Sequence, residues 1–151
     1  MTNGKMSAQL NNQNWLASSE GVVFSNKPTT FNLESFTYTK EENYQRLSFY
    51  LLYIPFKTGK YAIKKKTTTG KETNSSIYRQ YADGDLGGDG YDIDESNPNN
   101  FIEVTEIDTI QKTIKGTFET HYTIKLEKTD KNLPDKLDFL KGAFEVKMIK
   151  R

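Results

Sequence analysis

A chain of 151 residues is long enough for one domain with a real core and too short for two comfortable ones. Its 21 basic and 20 acidic side chains nearly cancel, so no net field recruits nucleic acid or a membrane surface. The absence of cysteine excludes disulfides, thiolate nucleophiles and cysteine-ligated metal centres together. Hydrophobic residues make up 34% of the chain, yet aromatics reach 13%, a balance that suits half-buried sheet faces and opposes wholesale disorder. No apolar run is long enough to span a membrane as a helix, and no leader is expected within the chain.

The dominant period is two. "KMSAQL" places Met6, Ala8 and Leu10 on one face, Asn11-Asn12 reads as a tight hairpin connection, and "WLAS" resumes with Trp15 and Ala17 in the core. "GVVFS" and "TFNLESFTYT" follow as strands. In the second, Phe31 and Leu33 share one parity and Phe36 and Tyr38 the other, which predicts a bulge near Glu34-Ser35. "RLSFYLLYI" is apolar on both faces and reads as a central strand ended by Pro55. "GKYAIK" is a short strand, "TTTGKETNSS" a polar loop, and "SIYRQYA" and "NFIEVTEID" flank an acidic loop. Two long strands close the chain, "TIKGTFETHYTIKL" and "LDFLKGAFEVKMI". They share an echo, Ile114-Lys-Gly116-Thr-Phe118 against Leu140-Lys-Gly142-Ala-Phe144. It predicts either a ring lying over each glycine or a bend of the sheet there. Helical pattern is confined to "LPDKLDFL", where Pro134 and the spacing of Leu133, Leu137 and Leu140 allow one turn.

Residues 1–151 are therefore expected to form a single all-β domain with 1–4 disordered. The expected architecture is an antiparallel β-sandwich of about nine strands, with a closed antiparallel β-barrel as the alternative.

Little in the chain looks like chemistry. His121 is the only histidine, and alternation places it with Glu119 and Thr123 on the polar face of its strand, where it reads as a solvated surface residue. No nucleophile elbow is present, and no pair of carboxylates stands out as a glycosidase couple, so no catalytic residue is assigned and the chain is expected not to be an enzyme. Tyr78, Tyr81 and Tyr91 are the rings expected to be exposed. Too few cations are interleaved with them for a single-stranded nucleic-acid platform.

The stretch "ADGDLGGDGYDIDES", residues 82–96, holds six carboxylates and four glycines. Read as an EF-hand loop from Asp83 it fails at Gly87 and Asp94, and read as a nonapeptide calcium turn it has Asp94 where an apolar residue belongs. If a metal binds here, it is calcium, and its ligands are Asp83, Asp85, Asp89, Asp92 and Asp94. The favoured expectation is a solvated loop without a cofactor, its repulsion relieved by water and by the six lysines of residues 57–71.

The opening "MSAQLNNQNWLAS" resembles the A-x-(L/V)-N-G-x-x-W-x-A hairpin that begins many secreted lipoproteins of Bacteroidota. "IEVTEIDTIQKTIKGTFETHYTI" and "LKGAFEVK" are similar to that group's "GTF" and "GKF" strands. The likeness spans both ends of the chain and leaves the middle unsupported, and Asn12 stands where the group has glycine. It implies a leader and a lipidated cysteine upstream of Met1, and residence in the cell envelope, periplasmic or surface-exposed. It brings no catalytic residues. On this basis the expectation is a monomeric, non-catalytic binding module for a glycan or a protein, with no nucleic-acid partner and no membrane contact beyond the upstream lipid anchor. The alternatives are a lipocalin-like barrel carrying a small apolar ligand and a structural envelope component.

Overall fold

The computed structural model describes the backbone of residues 4–38, 45–81, 88–125 and 134–151. The strands are β1 (Gly4–Leu10), β2 (Gln13–Val23), β3 (Thr30–Tyr38), β4 (Gln45–Pro55), β5 (Gly59–Ala62), β6 (Lys64–Lys65), β7 (Asn74–Tyr81), β8 (Gly88–Ile93), β9 (Phe101–Asp108), β10 (Thr113–Ile124) and β11 (Lys136–Lys150). Among the described residues there is no helix. Alternation decides the faces: Met6 and Ala8, Trp15 and Ala17, Phe31 and Leu33, and Leu47, Phe49 and Leu51 are all buried on one side of their strands. Asn11 and Asn12 take φ of 48° and 68°, the left-handed pair that a two-residue hairpin needs to match strand twist.

Among the described residues, all eleven strands belong to one sheet. Its pairings run β1–β2–β3–β4–β7–β8–β10–β11 and return from β11 to β1, so the circuit is closed. The two layers expected of a sandwich are opposite walls of this one sheet. β9 continues from β10 over Thr113–Glu119, carrying β5 on its far edge, while β8 pairs only with Tyr122–Ile124 of β10. Two short pairings are parallel, β2 with β11 over Gly21–Val23, and β6 with β7. In the first, β2 and β11, which flank β1 on either side as far as Gly4, meet each other directly.

The bulges lie elsewhere than expected. Phe31, Leu33 and Ser35 all stay inward, so Phe36 simply faces out and no shift occurs at Glu34-Ser35. The extra residue is Tyr53 of β4, at φ 56°, whose N–H donates to Asn32 Oδ1 at 3.0 Å. A second bulge at Lys141, φ 54°, shifts β11 against both β1 and β10 and changes its inward residues from Leu137 and Phe139 to Gly142, Phe144 and Val146. It also accounts for the leucine spacing that imitated a helical turn: Lys136 onward is strand, and Leu133 lies outside the described residues. Gly4 already stands in β1, while residues 1–3 lie outside the described residues.

The Gly–Phe echo is reciprocal. Gly116 pairs with Phe144 and Gly142 pairs with Phe118 across β10 and β11. A Cβ on Gly142 would lie 2.5 Å from the Phe118 ring, and one on Gly116 would lie 2.6 Å from the Phe144 ring and 2.1 Å from the Glu103 carbonyl oxygen. Each ring covers the partner strand's glycine, which fixes the register of the seam that closes the circuit.

Rings fill the interior. Phe49 of β4 meets Trp15, Phe118, Tyr122 and Phe139 of unpaired strands, with centroids 5.2–6.0 Å apart. Trp15 packs edge-on to Phe139 at 5.0 Å, as its core assignment expected. The polar groups inside are mostly paired. Ser75 Oγ donates to the Tyr50 carbonyl at 2.6 Å, so the Tyr122 hydroxyl, 2.6 Å away, donates to Ser75. Burial holds the Tyr122 hydroxyl well above the ordinary tyrosine range, so it remains a neutral donor.

Candidate functional site

Of the five candidate metal ligands, Asp83 and Asp85 lie outside the described residues, as does the side chain of Asp89, whose backbone pairs with Arg79. Asp92 faces outward between the buried Tyr91 and Ile93, with its carboxylate 3.9 Å from the Lys65 ammonium. That contact is the expected attraction between the lysine-rich segment and the acidic one. Asp94 opens a turn instead, accepting from the Ser96 hydroxyl at 2.5 Å and the Ser96 N–H at 3.1 Å. The hydroxyl bond holds its carboxyl below the usual range. Asp92 and Asp94 therefore have separate partners. Among the described residues, no group of three His, Asp or Glu side chains is placed to hold a metal ion.

His121 is not a solvated surface residue. It does lie on the outer face of β10, as alternation requires, but only 8% of it is exposed. Nδ1 is 2.7 Å from Asp138 Oδ1 on β11, and Nε2 is 2.7 Å from Glu119 Oε2. Ionised carboxylates only accept, so both contacts are hydrogen bonds when each ring nitrogen carries a proton, an arrangement that favours the imidazolium. Burial opposes that charge, yet the two hydrogen bonds and the two carboxylate charges outweigh it and raise the pKa above the ordinary value. The connection from β8 to β9 ties down the same place. Asn100, itself buried, accepts the His121 N–H at 2.7 Å and donates to the carbonyls of Asp94 and Asn97 at 3.0 Å. From the other side, Asn11 of the first hairpin accepts from the Asp138 N–H at 2.8 Å and donates to the Lys136 carbonyl at 3.1 Å. These contacts bridge residues up to 127 positions apart, which is why local patterning missed them.

Chemically, this cluster joins strands. An imidazolium with both N–H groups bonded to carboxylates has no free lone pair to act as a base. The two carboxylates sit at opposite edges of the ring, a spread that does not converge on one ion.

The outer face of β3, β4 and β7 carries the more suggestive surface. Phe36, Tyr50 and Tyr78 form a row of half-buried rings, with centroids 6.3 Å and 6.4 Å apart and edge-to-face planes. The Arg46 guanidinium carbon lies 3.9 Å from the centre of the Phe36 ring. Tyr78 is cross-strand to Gly90, where an added Cβ would come within 3.5 Å of the ring. Of the tyrosines expected to be exposed, only Tyr78 contributes here. Tyr91 is 1% exposed and donates from its hydroxyl to the Pro134 carbonyl at 2.7 Å, and the side chain of Tyr81 lies outside the described residues. Sequence reasoning missed Phe36 and Tyr50. The signal was present in the parity of Phe36 against Phe31 and Leu33, which marks an outward ring once no bulge intervenes.

No family model, curated protein or solved structure matches the chain.

Proposed function

We propose that the chain is a non-catalytic binding module of the cell envelope that takes a glycan on the outer face of β3, β4 and β7. The observation that carries this is the row Phe36, Tyr50 and Tyr78 with Arg46 beside it, on the side of the sheet away from the packed interior. A sugar's C–H face suits an apolar ring, and tyrosine adds a polar tip at the ring edge. Arg46 offers donors in a planar fork for hydroxyl or carboxylate groups of the same ligand. The envelope location rests on the likeness of the first hairpin and the Gly–Phe strands to secreted lipoproteins. The ring-filled interior weighs against a carrier of an internal apolar ligand, and the doubly bonded His121 weighs against acid–base catalysis. Rings with a stacked arginine are also the composition of protein hot spots, which favours a protein ligand as the second reading.

Calorimetric titration with a panel of soluble oligosaccharides tests the proposal. At least one should bind, and Tyr50→Ala or Tyr78→Ala should weaken it about tenfold with folding intact. Absence of binding across the panel, or binding indifferent to both substitutions, contradicts the glycan reading.

A further inference from the structure

A different surface carries a second kind of contact. The loop after β2 (residues 24–29), the turn between β9 and β10 (109–112) and the end of β11 surround a concavity of about 500 Å³. Val23, Pro28, Phe56 and Met148 give it apolar walls, Lys112 and Lys150 line it as well, and among the described residues no carboxylate does. Two of the four exposed large apolar side chains among the described residues stand in the flanking loops, Phe24 at 61% and Ile110 at 87% exposure. Lys27 and Lys57 are exposed in the adjoining connections. The nearby acids are engaged: Asp108 Oδ1 accepts the N–H groups of Ile110 and Gln111 at 2.9 Å, and Arg151 bonds Glu20 at 2.7 Å and Glu34 at 3.0 Å.

The loops are also held in place. Lys112 sits at φ 60° and its carbonyl accepts the Met148 N–H at 2.8 Å. Phe56 N–H donates to the Thr29 carbonyl at 2.9 Å, and Arg151 N–H to that of Val23 at 2.9 Å. Ile110 is thus presented to solvent by a capped turn that has no packing use for it.

We propose that this end of the sheet docks onto an anionic lipid surface. Phe24 and Ile110 enter the boundary between headgroups and acyl chains, and Lys27, Lys57, Lys112 and Lys150 meet the phosphates. The concavity is of a size to receive one headgroup. Lysine decides between a bilayer and a protein partner. Protein interfaces are depleted in lysine and enriched in arginine and clustered rings, whereas lipid surfaces favour isolated apolar tips among lysines whose long stems reach the interface. The edge-to-face row of rings with its stacked Arg46 lies on the glycan face. At this end the one arginine, Arg151, is already bonded to Glu20 and Glu34, and the exposed apolar tips Phe24 and Ile110 stand on separate loops among lysines. The proposal does not depend on the glycan reading, since it uses no residue of that face.

Cosedimentation of the intact chain with vesicles tests it, using phosphatidylcholine alone and phosphatidylcholine with about 30 mol% phosphatidylglycerol. Partition onto the anionic vesicles should exceed that onto neutral ones and fall at least about tenfold between ~0.05 M and ~0.5 M salt. Replacing Phe24 and Ile110 together by Ser should lower it about tenfold. Lys112→Gln and Lys150→Gln should each lower it about fivefold. In a Phe24→Trp variant, a blue shift of emission on anionic vesicles should appear above the constant signal of buried Trp15. No partition onto anionic vesicles at low salt, equal partition onto both kinds, or partition unchanged by either set of substitutions overturns the proposal.

Discussion

Around His121, side chains from separate segments answer one another: Asn11, Asn100 and Asp138, with Glu119 of the same strand, converge on one imidazole ring and its neighbouring backbone. At the loop end near Phe24 and Ile110, apolar tips and lysines are exposed on turns held by backbone bonds, with Lys150 Nζ donating to Asn26 Oδ1 at 2.8 Å. Both regions look equally polar in sequence. The difference teaches that a buried ionisable cluster can be cement, while an exposed and rigidly presented one leaves its groups available for contact.

The largest break in that comparison comes from Asn100. Asn100→Ala removes three hydrogen bonds and strands the His121 N–H, so urea unfolding should show a loss of about 3 kcal/mol. His121→Gln should follow with a loss of about 2 kcal/mol, because two carboxylates then lack their shared cation. The pH dependence sharpens the point. A pKa raised on folding means that the imidazolium's contribution is complete below the unfolded value, about 6.5, and is lost as pH rises through the folded pKa. The urea midpoint of the native chain should therefore fall as pH is raised above about 6.5, and His121→Gln should flatten that decline. The smallest effects belong to the loop end, where Phe24→Ser and Ile110→Ser should each change stability by no more than about 0.5 kcal/mol.

Period-two patterning made the all-β architecture legible, together with most inward residues and the Asn11-Asn12 turn, because a sheet face and a tight turn are local demands. The Gly116 and Gly142 echo even disclosed the seam, since a ring over a glycine needs only the two strands that carry it. Closure of the circuit was not legible as the favoured architecture, because it depends on which distant strands meet. The bulges at Tyr53 and Lys141 were hidden as well, for they use non-glycine residues at positive φ that no composition signal marks. The site fared worse. The acidic stretch drew attention by composition alone, and its described members Asp92 and Asp94 serve an ion pair and a turn. His121 was placed on the correct face and given the wrong environment, since the residues that enclose it come from three other segments.

Parallel urea unfolding and anionic-vesicle cosedimentation of two variants, His121→Gln and the Phe24→Ser, Ile110→Ser pair, test most directly the claim that one region holds the fold and the other meets a partner. The first variant should lose about 2 kcal/mol of stability and keep vesicle binding under conditions where it is folded, while the second should keep stability within about 1 kcal/mol and lose most of the binding. Loss of vesicle binding by folded His121→Gln, or unfolding of the loop-end pair, would contradict that division.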